Sequence, residues 1–293
     1  MQTANLTAFI AVAETGSFSR AAERLFLSQP AVSKRVSALE EELEAKLFDR
    51  IGHQIFLTEA GRALLPRAQR ILAELDNSLR QIRNLSGQVS GRLSIGTSHH
   101  IGLHRLPPVL REYSARYPEV ELDLHFMDSE AILAAVGGGQ LEFGVITLPL
   151  QLPQQLEAQS VWRDPLCFVC SAQHPLAQRK RITPQQLGEH PAILPTADTT
   201  TYQILAAELQ KHQCAIRRGM TTNNLETIRM LVSIGLGWSL LPSGMLGADL
   251  VALKPNHIRL SRTLGMVFHR DRTLSNAAKR MVELLQEQAA PGA

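Results

Sequence analysis

Residues 17–50 read SFSRAAERLFLSQPAVSKRVSALEEELEAKLFDR, a stretch whose apolar and polar spacing places two short helices and the turn between them. Ser19 is positioned to cap a helix whose apolar residues Ala21, Ala22 and Leu25 face inward. The pattern breaks at Phe26-Leu27, and Ser28 offers a second N-cap, with Pro30 tolerated in the first turn that follows. Along that next helix Val32, Val36 and Leu39 form one stripe, while Gln29, Ser33, Lys34 and Ser37 occupy the opposite side. One face anchors the helix in a core and the other carries short hydrogen-bonding groups, as reading base edges in a major groove requires. The stretch predicts a helix-turn-helix that binds double-stranded DNA.

Bulk charge is not the signal. The chain of 293 residues has a formal net charge of +3, and residues 1–90 hold 11 Lys and Arg against 10 Asp and Glu. Position matters more, because Arg20, Arg24, Lys34, Arg35, Lys46 and Arg50 crowd the helix-turn-helix. A 44% hydrophobic fraction with 19% charged residues describes a folded protein with room for two or three domains. No run approaches the ~20 apolar residues of a membrane span. The first residues lack a basic segment and include Glu14, which argues against a signal peptide. Three cysteines are an odd number for a disulfide framework. A cytoplasmic protein with no membrane partner is expected.

On the N-terminal side, Leu6, Phe9, Ile10, Val12 and Ala13 recur at helical spacing up to Gly16. On the C-terminal side, residues 47–57 read as two short strands around Gly52, which makes a wing; Arg50 and His53 are its candidates for phosphate or minor-groove contact. Thr58 then caps a long helix running to about Leu85. Its seam of Gly61, Leu65, Ala68, Leu72, Leu75, Leu79 and Ile82 predicts helix pairing between chains. Burial against its own domain is the alternative; Arg67, Arg70, Glu74, Arg80 and Arg83 on the other faces favour pairing. Residues 86–91 form a Gly/Ser hinge, beyond which strands and helices alternate as a βαβαβ run followed by a second such unit. The last strand and helix return to the first unit, leaving a cleft between two lobes.

The segments AAERLFLSQPAVSKRVSALEEELEAKLFDR, LTEAGRALLPRAQRIL, RYPEVELDL, LEFGVI, HPLA and LVSIGLGWSLLP occur in that order, and in them the chain resembles the LysR-type transcriptional regulators over essentially its whole length. The resemblance implies a multidomain fold: an all-α winged helix-turn-helix with a long linker helix, then an α/β periplasmic-binding-protein-like effector domain of two Rossmann-like lobes. Boundaries are expected at 1–58, 59–86, 87–91 and 92–293, with lobe I near 92–162 and 266–293 and lobe II near 163–265. The resemblance further implies a sequence-specific, non-enzymatic regulator that works as a homodimer or homotetramer, with RNA polymerase as an additional partner. Mapped onto this chain, Gln29, Pro30, Ser33 and Lys34 would contact bases, while Arg35 and Arg50 would anchor phosphates. Lys34 stands where many relatives carry arginine, and a lysine lacks the bidentate fork to guanine.

The expected effector site starts at Gly96-Thr97-Ser98-His99-His100, where the first strand of the α/β region ends and a turn opens. Ligands of such folds lie outside the carboxyl ends of strands, near unpaired helix N–H groups. Thr97, Ser98, His99 and His100 are candidates there. Family resemblance adds Thr147 and the loop of residues 195–201, including Thr196 and Thr199. This hydroxyl density suits a small anion, such as a sulfur or carboxylic oxyanion. Asn223 and Asn224 read as caps of the helix that follows them, with closing the same site as the alternative. No cofactor or metal is expected: the only local histidine group is His99, His100 and His104, without HExxH spacing. Cys167 and Cys170 have CxxC spacing but sit in a strand-like run. Cys214 follows a polar helix, and as an exposed thiol it would make a redox-sensing regulator the alternative. An α/β enzyme with an appended DNA-binding domain is the other alternative, although no P-loop, dinucleotide fingerprint or GxSxG occurs.

Overall fold

The computed structural model describes residues 1–51, 54–179, 181–255 and 258–288. The chain forms two compact units, the first built on Met1–Gly87 and the second on Gln88–Gly137 and Leu141–Ala293.

In the first unit, α1 (Thr3–Thr15) ends at Gly16, whose φ of 62° and N–H bond to the Val12 carbonyl close the helix. The second helix, α2 (Phe18–Arg24), is capped by Ser17 and not by the expected Ser19. A cap needs an extended backbone: Ser17 has φ −156° and accepts the Arg20 N–H, whereas Ser19 lies inside the helix. Phe26 reverses the chain with φ 54°, and Ser28 accepts the Ala31 N–H to open α3 (Gln29–Glu42). Val12, Phe18, Ala22, Val32 and Val36 fill the head's core. Phe48 seats its ring 5.4 Å from Phe9 and 5.9 Å from Phe18, anchoring β1 (Phe48–Ile51). That strand pairs antiparallel with β2 (Gln54–Leu57).

Thr58 caps α4 (Glu59–Asn84) by accepting the Gly61 N–H. The seam read from the sequence divides here. Gly61 and Ala68 are buried, and a Cβ on Gly61 would stand 2.2 Å from the Leu47 carbonyl oxygen. The start of α4 therefore packs on its own head, with Leu65 and Leu72 beside it. Leu75, Leu79 and Ile82 stay exposed in the single chain, as does Ile71. The first part of the seam thus corrects the expectation of an interchain surface, because Leu39 and Leu47 need a cover.

The second unit begins with β3 (Gly91–Thr97), α5 (His99–His104), α6 (Leu106–Arg116), β4 (Val120–Phe126), α7 (Ser129–Gly138) and β5 (Phe143–Thr147). A helix thus starts at His99, where the sequence suggested only a turn. Its three strands run parallel in the order β4-β3-β5. Then β6 (Leu156–Ser171) runs for 16 residues. The expected strand was only Leu166–Cys170; its first half alternates poorly because residues 157–160 are all exposed. After it come α8 (Pro184–Gly188), β7 (Ala192–Leu194), α9 (Thr200–Lys211), β8 (Arg218–Thr221), α10 (Leu225–Ser233), β9 (Ser239–Pro242), β10 (Leu250–Leu253), β11 (Leu260–His269) and α11 (Asn276–Glu287).

Two strands serve both lobes. Near Leu156–Ser160, β6 pairs with the end of β11, and further on it pairs with β9 and β10. The register slips at Leu264/Gly265, and a Cβ on Gly265 would lie 2.3 Å from the Gln159 carbonyl oxygen. Only glycine permits that approach. One core gathers Leu93, Tyr113, Phe143 and Met281; the other gathers Phe168, Cys170, Leu205 and Trp238. The Trp238 indole N–H donates to the Leu187 carbonyl at 2.8 Å, so this large side chain is buried with its polar atom satisfied.

Candidate functional sites

The DNA-facing candidates occupy the outward edge of α3. Gln29, Pro30 and Lys34 are exposed, Ser33 and Arg35 are half-buried, and the opposite edge is sealed by Val32, Val36 and Leu39. The end of α3 is tied to the wing through Glu40, which accepts the Leu47 N–H and the Lys46 ammonium, each at 2.8 Å. Burial pushes the Glu40 carboxyl up, but these bonds outweigh it and leave the group below its ordinary value. Several basic residues of the head are occupied internally. Arg24 pairs with Glu14 at 2.6 Å, Lys46 with Glu40, and Arg20 donates to the Thr15 carbonyl. Lys34 and Arg35 make no internal ion pair among the described residues. Arg50 belongs to β1 by its backbone; its side chain, and the whole of His53, lie outside the described residues.

In the second unit a cavity of about 60 Å³ opens between the lobes, lined by Ser98, His99, His100, Asp128, Ser129, Glu130, Thr147, Pro195, Thr199, Thr200, Thr201, Asn223, Leu225 and Arg262. That is under half the ~150 Å³ of a cavity that takes benzene, so it suits a small molecule. The starts of α7, α9 and α10 meet there, with the first turn of α5. Their positive dipole ends favour anions, although the Tyr202 and Thr227 N–H groups are already held by the Thr199 and Asn224 caps. Ser98 precedes α5 without making a cap hydrogen bond, so its hydroxyl is uncommitted at that position.

Arg262 is the cation of this cleft. It is buried on β11, donating through Nε to Asp164 at 2.8 Å and through Nη1 to the Thr201 hydroxyl at 2.9 Å. Beside it His100 is 9% exposed, and its Nδ1 is buried without a hydrogen-bond partner. Burial, with the Arg262 charge adding to it, lowers the His100 imidazole to about 4. At neutral pH the ring is uncharged.

Asn223 joins the lobes. Its Oδ1 accepts from the Thr196 N–H and hydroxyl at 3.0 and 2.9 Å, and its Nδ2 donates to Asp128 at 2.8 Å. The cap role expected of both asparagines belongs to Asn224 alone, which accepts the Thr227 N–H. Five sequence candidates, Ser98, His99, His100, Thr147 and Thr199, come together at the cavity. The other two do not line it. Thr97 is buried and donates to the Val145 carbonyl, and Thr196 is spent on Asn223.

The cysteines correct the redox alternative. Cys214 is 8% exposed, not exposed as its polar neighbours suggested, and its Sγ donates to the Pro184 carbonyl. Burial pushes its thiol up, opposite to what a reactive thiolate needs.

The family model for the LysR substrate binding domain matches residues 86–290, and that for the bacterial regulatory helix-turn-helix protein of the lysR family matches residues 3–62. The chain belongs to the LysR family. A "Probable RuBisCO transcriptional regulator" of Trichormus variabilis is 30% identical over 292 residues, covering 96% of this chain and 87% of its own. An uncharacterized HTH-type regulator in an ibpB-leuC intergenic region of Azotobacter vinelandii is 68% identical over 108 residues, 37% of this chain and 75% of the relative. A full-length OxyR variant from Pseudomonas aeruginosa shares the fold at 23% identity, with a TM-score of 0.70 over 99% of this chain and 94% of that one. The protein is a LysR-type transcriptional regulator with a DNA-binding head and an effector-binding domain.

Sequence reasoning about this LysR-family chain missed Arg262, Thr201 and the acidic pair Asp128 and Glu130. Arg262 had a signal, a lone cation in the strand run LSRTLGMVF, where an ion needs a partner if the strand is buried. Asp164, 98 residues away, could not be matched to it from sequence.

Proposed function

We propose that this LysR-type regulator senses a small effector in the inter-lobe cleft, and that the effector presents an anionic group to Ser98, His100, Thr147, Thr199 and Arg262. Arg262 carries the reading. A buried guanidinium at a small cavity, with two of its donor positions engaged, retains further N–H groups in a planar fork suited to an oxyanion. Asp164 is shared between Arg262 and Arg105, which stands 3.6 Å from it, so one net positive charge remains beside the aimed donors.

On DNA, Gln29, Pro30, Ser33 and Lys34 contact bases, and Arg35, Arg50 and His53 hold the backbone. Two or four copies assemble through the exposed half of α4. Effector binding shifts the population between lobe arrangements and thereby the spacing of the DNA-reading heads. The protein acts in the cytoplasm by binding, without turnover, and with RNA polymerase as the downstream partner. Calorimetric titration with sulfate and short carboxylates tests the cleft. Ser98→Ala and His100→Ala should each weaken a bound anion by about tenfold. Unchanged affinity in both variants would remove the assignment.

A further inference from the structure

Facing the donors of this cleft are carboxylates without a counterion. Asp128 and Glu130, at the start of α7, line the cavity, and Asp198 immediately precedes the Thr199 cap of α9. Among the described residues none of the three forms an ion pair with a lysine, arginine or histidine. Asp128 has only the neutral Asn223 amide at 2.8 Å. Acidic side chains commonly sit in first helical turns, where the dipole favours their charged form. Glu130 departs from that pattern: burial, with the charges of Asp198 and Asp128, raises its carboxyl and outweighs the lowering by its hydrogen bonds to the Glu130 and Thr200 backbone. The arrangement is short of a positive charge.

Two observations point to a ligand as its source. A second cavity, of about 390 Å³, shares Glu130 and Thr200 with the cleft and is lined as well by Asp198, Gln151, Leu133 and Leu150. Glu130 therefore stands where the two cavities meet, with Asp128 on the cleft and Asp198 on the second cavity. On the donor wall, His100 Nδ1 is a buried polar atom with no partner of its own.

We infer that the effector is amphoteric, a small molecule of the amino-acid class, with its carboxylate toward Ser98 and Arg262 and its protonated amine toward Asp128 and Glu130. This rests on the cleft reading above and narrows the ligand that reading admits. A primary ammonium brings one positive charge and three donors, matching two carboxylates that have neutral donors but no cation. A purely anionic ligand would meet the half-buried Glu130 carboxylate, with the exposed Asp128 beside it, and like charges there repel. The larger cavity, with its leucines and Gln151, takes the remainder of the side chain.

The test is calorimetry on the full-length protein with each standard amino acid, its N-acetyl derivative and its des-amino carboxylic acid. At least one amino acid should bind, and acetylating or removing its amine should weaken binding by about tenfold or more. Glu130→Gln should weaken the amino acid by a similar factor while leaving the des-amino acid within about twofold; Ser98→Ala should weaken both. If the des-amino acid binds wild type as tightly as the amino acid does, and Ser98→Ala weakens it, the amphoteric inference fails and the anion site stands. If no compound of the set binds, or if binding ignores both substitutions, the inference and the cleft assignment fall together. The comparison on wild-type protein needs no variant to fold.

Discussion

Phe26 holds φ at 54° while 96% of its side chain lies in solvent. A left-handed backbone at a bulky residue costs on the order of 1 kcal/mol, and nothing is buried in return. Phe26→Asn should raise stability by up to about 1 kcal/mol, read as a higher urea midpoint; a lower midpoint would show that the ring has a folded-state partner. The same scale separates the two free cations of α3. Lys34→Ala should cost about 1–3 kcal/mol on a specific operator and less on scrambled duplex, whereas Arg35→Ala should weaken both by similar factors. Band-shift titrations on both duplexes at fixed salt decide it, and the reverse order would exchange the roles.

Among the elements, α4 does two jobs along one stripe. Near its start Gly61 leaves no room for a methyl against the Leu47 carbonyl, so Gly61→Ala should destabilise the head by about 1–3 kcal/mol through forced displacement. Toward its end Leu75 and Leu79 stay exposed in the single chain. Leu75→Asp with Leu79→Asp should leave the urea midpoint of the monomer nearly unchanged and shift sedimentation toward monomer. Dimers that survive this pair would move the interface elsewhere. The heptad pattern in the sequence cannot separate these halves. Leucine at a given spacing looks the same whether it meets its own domain or another chain.

For the whole molecule, His100 couples the cleft to pH. Its folded value is about 4 against an ordinary 6.5, because burial and then the Arg262 charge disfavour the imidazolium. A depressed group contributes stability that is fully present above its unfolded pKa and is lost as pH falls through its folded one. Stability should therefore decline between about pH 6.5 and pH 4, by up to about 3 kcal/mol from this group. His100→Asn should flatten that portion of the curve, measured by urea unfolding across the range. An unchanged slope would mean that His100 is solvated in the folded state.

The sequence alone determined the local features: the helix breaks at Gly16 and Phe26, the Ser28 and Thr58 caps, the apolar stripe of α3, and the alternation of strands and helices after Gly91. Each follows from short-range spacing and backbone preference, which act between neighbouring residues. The tertiary structure alone decided which seam residues of α4 were spent at home, that Cys214 was buried, and that Thr97 turned away from the cleft. It also brought Arg262 to Asp164 and Thr201, and placed the acids of α7 opposite them. Those pairings join residues 61 and 98 positions apart, and nothing in either local neighbourhood encodes the partner. Burial and desolvation arise only when distant strands close on one another, so the chemistry of the cleft comes into existence with the fold.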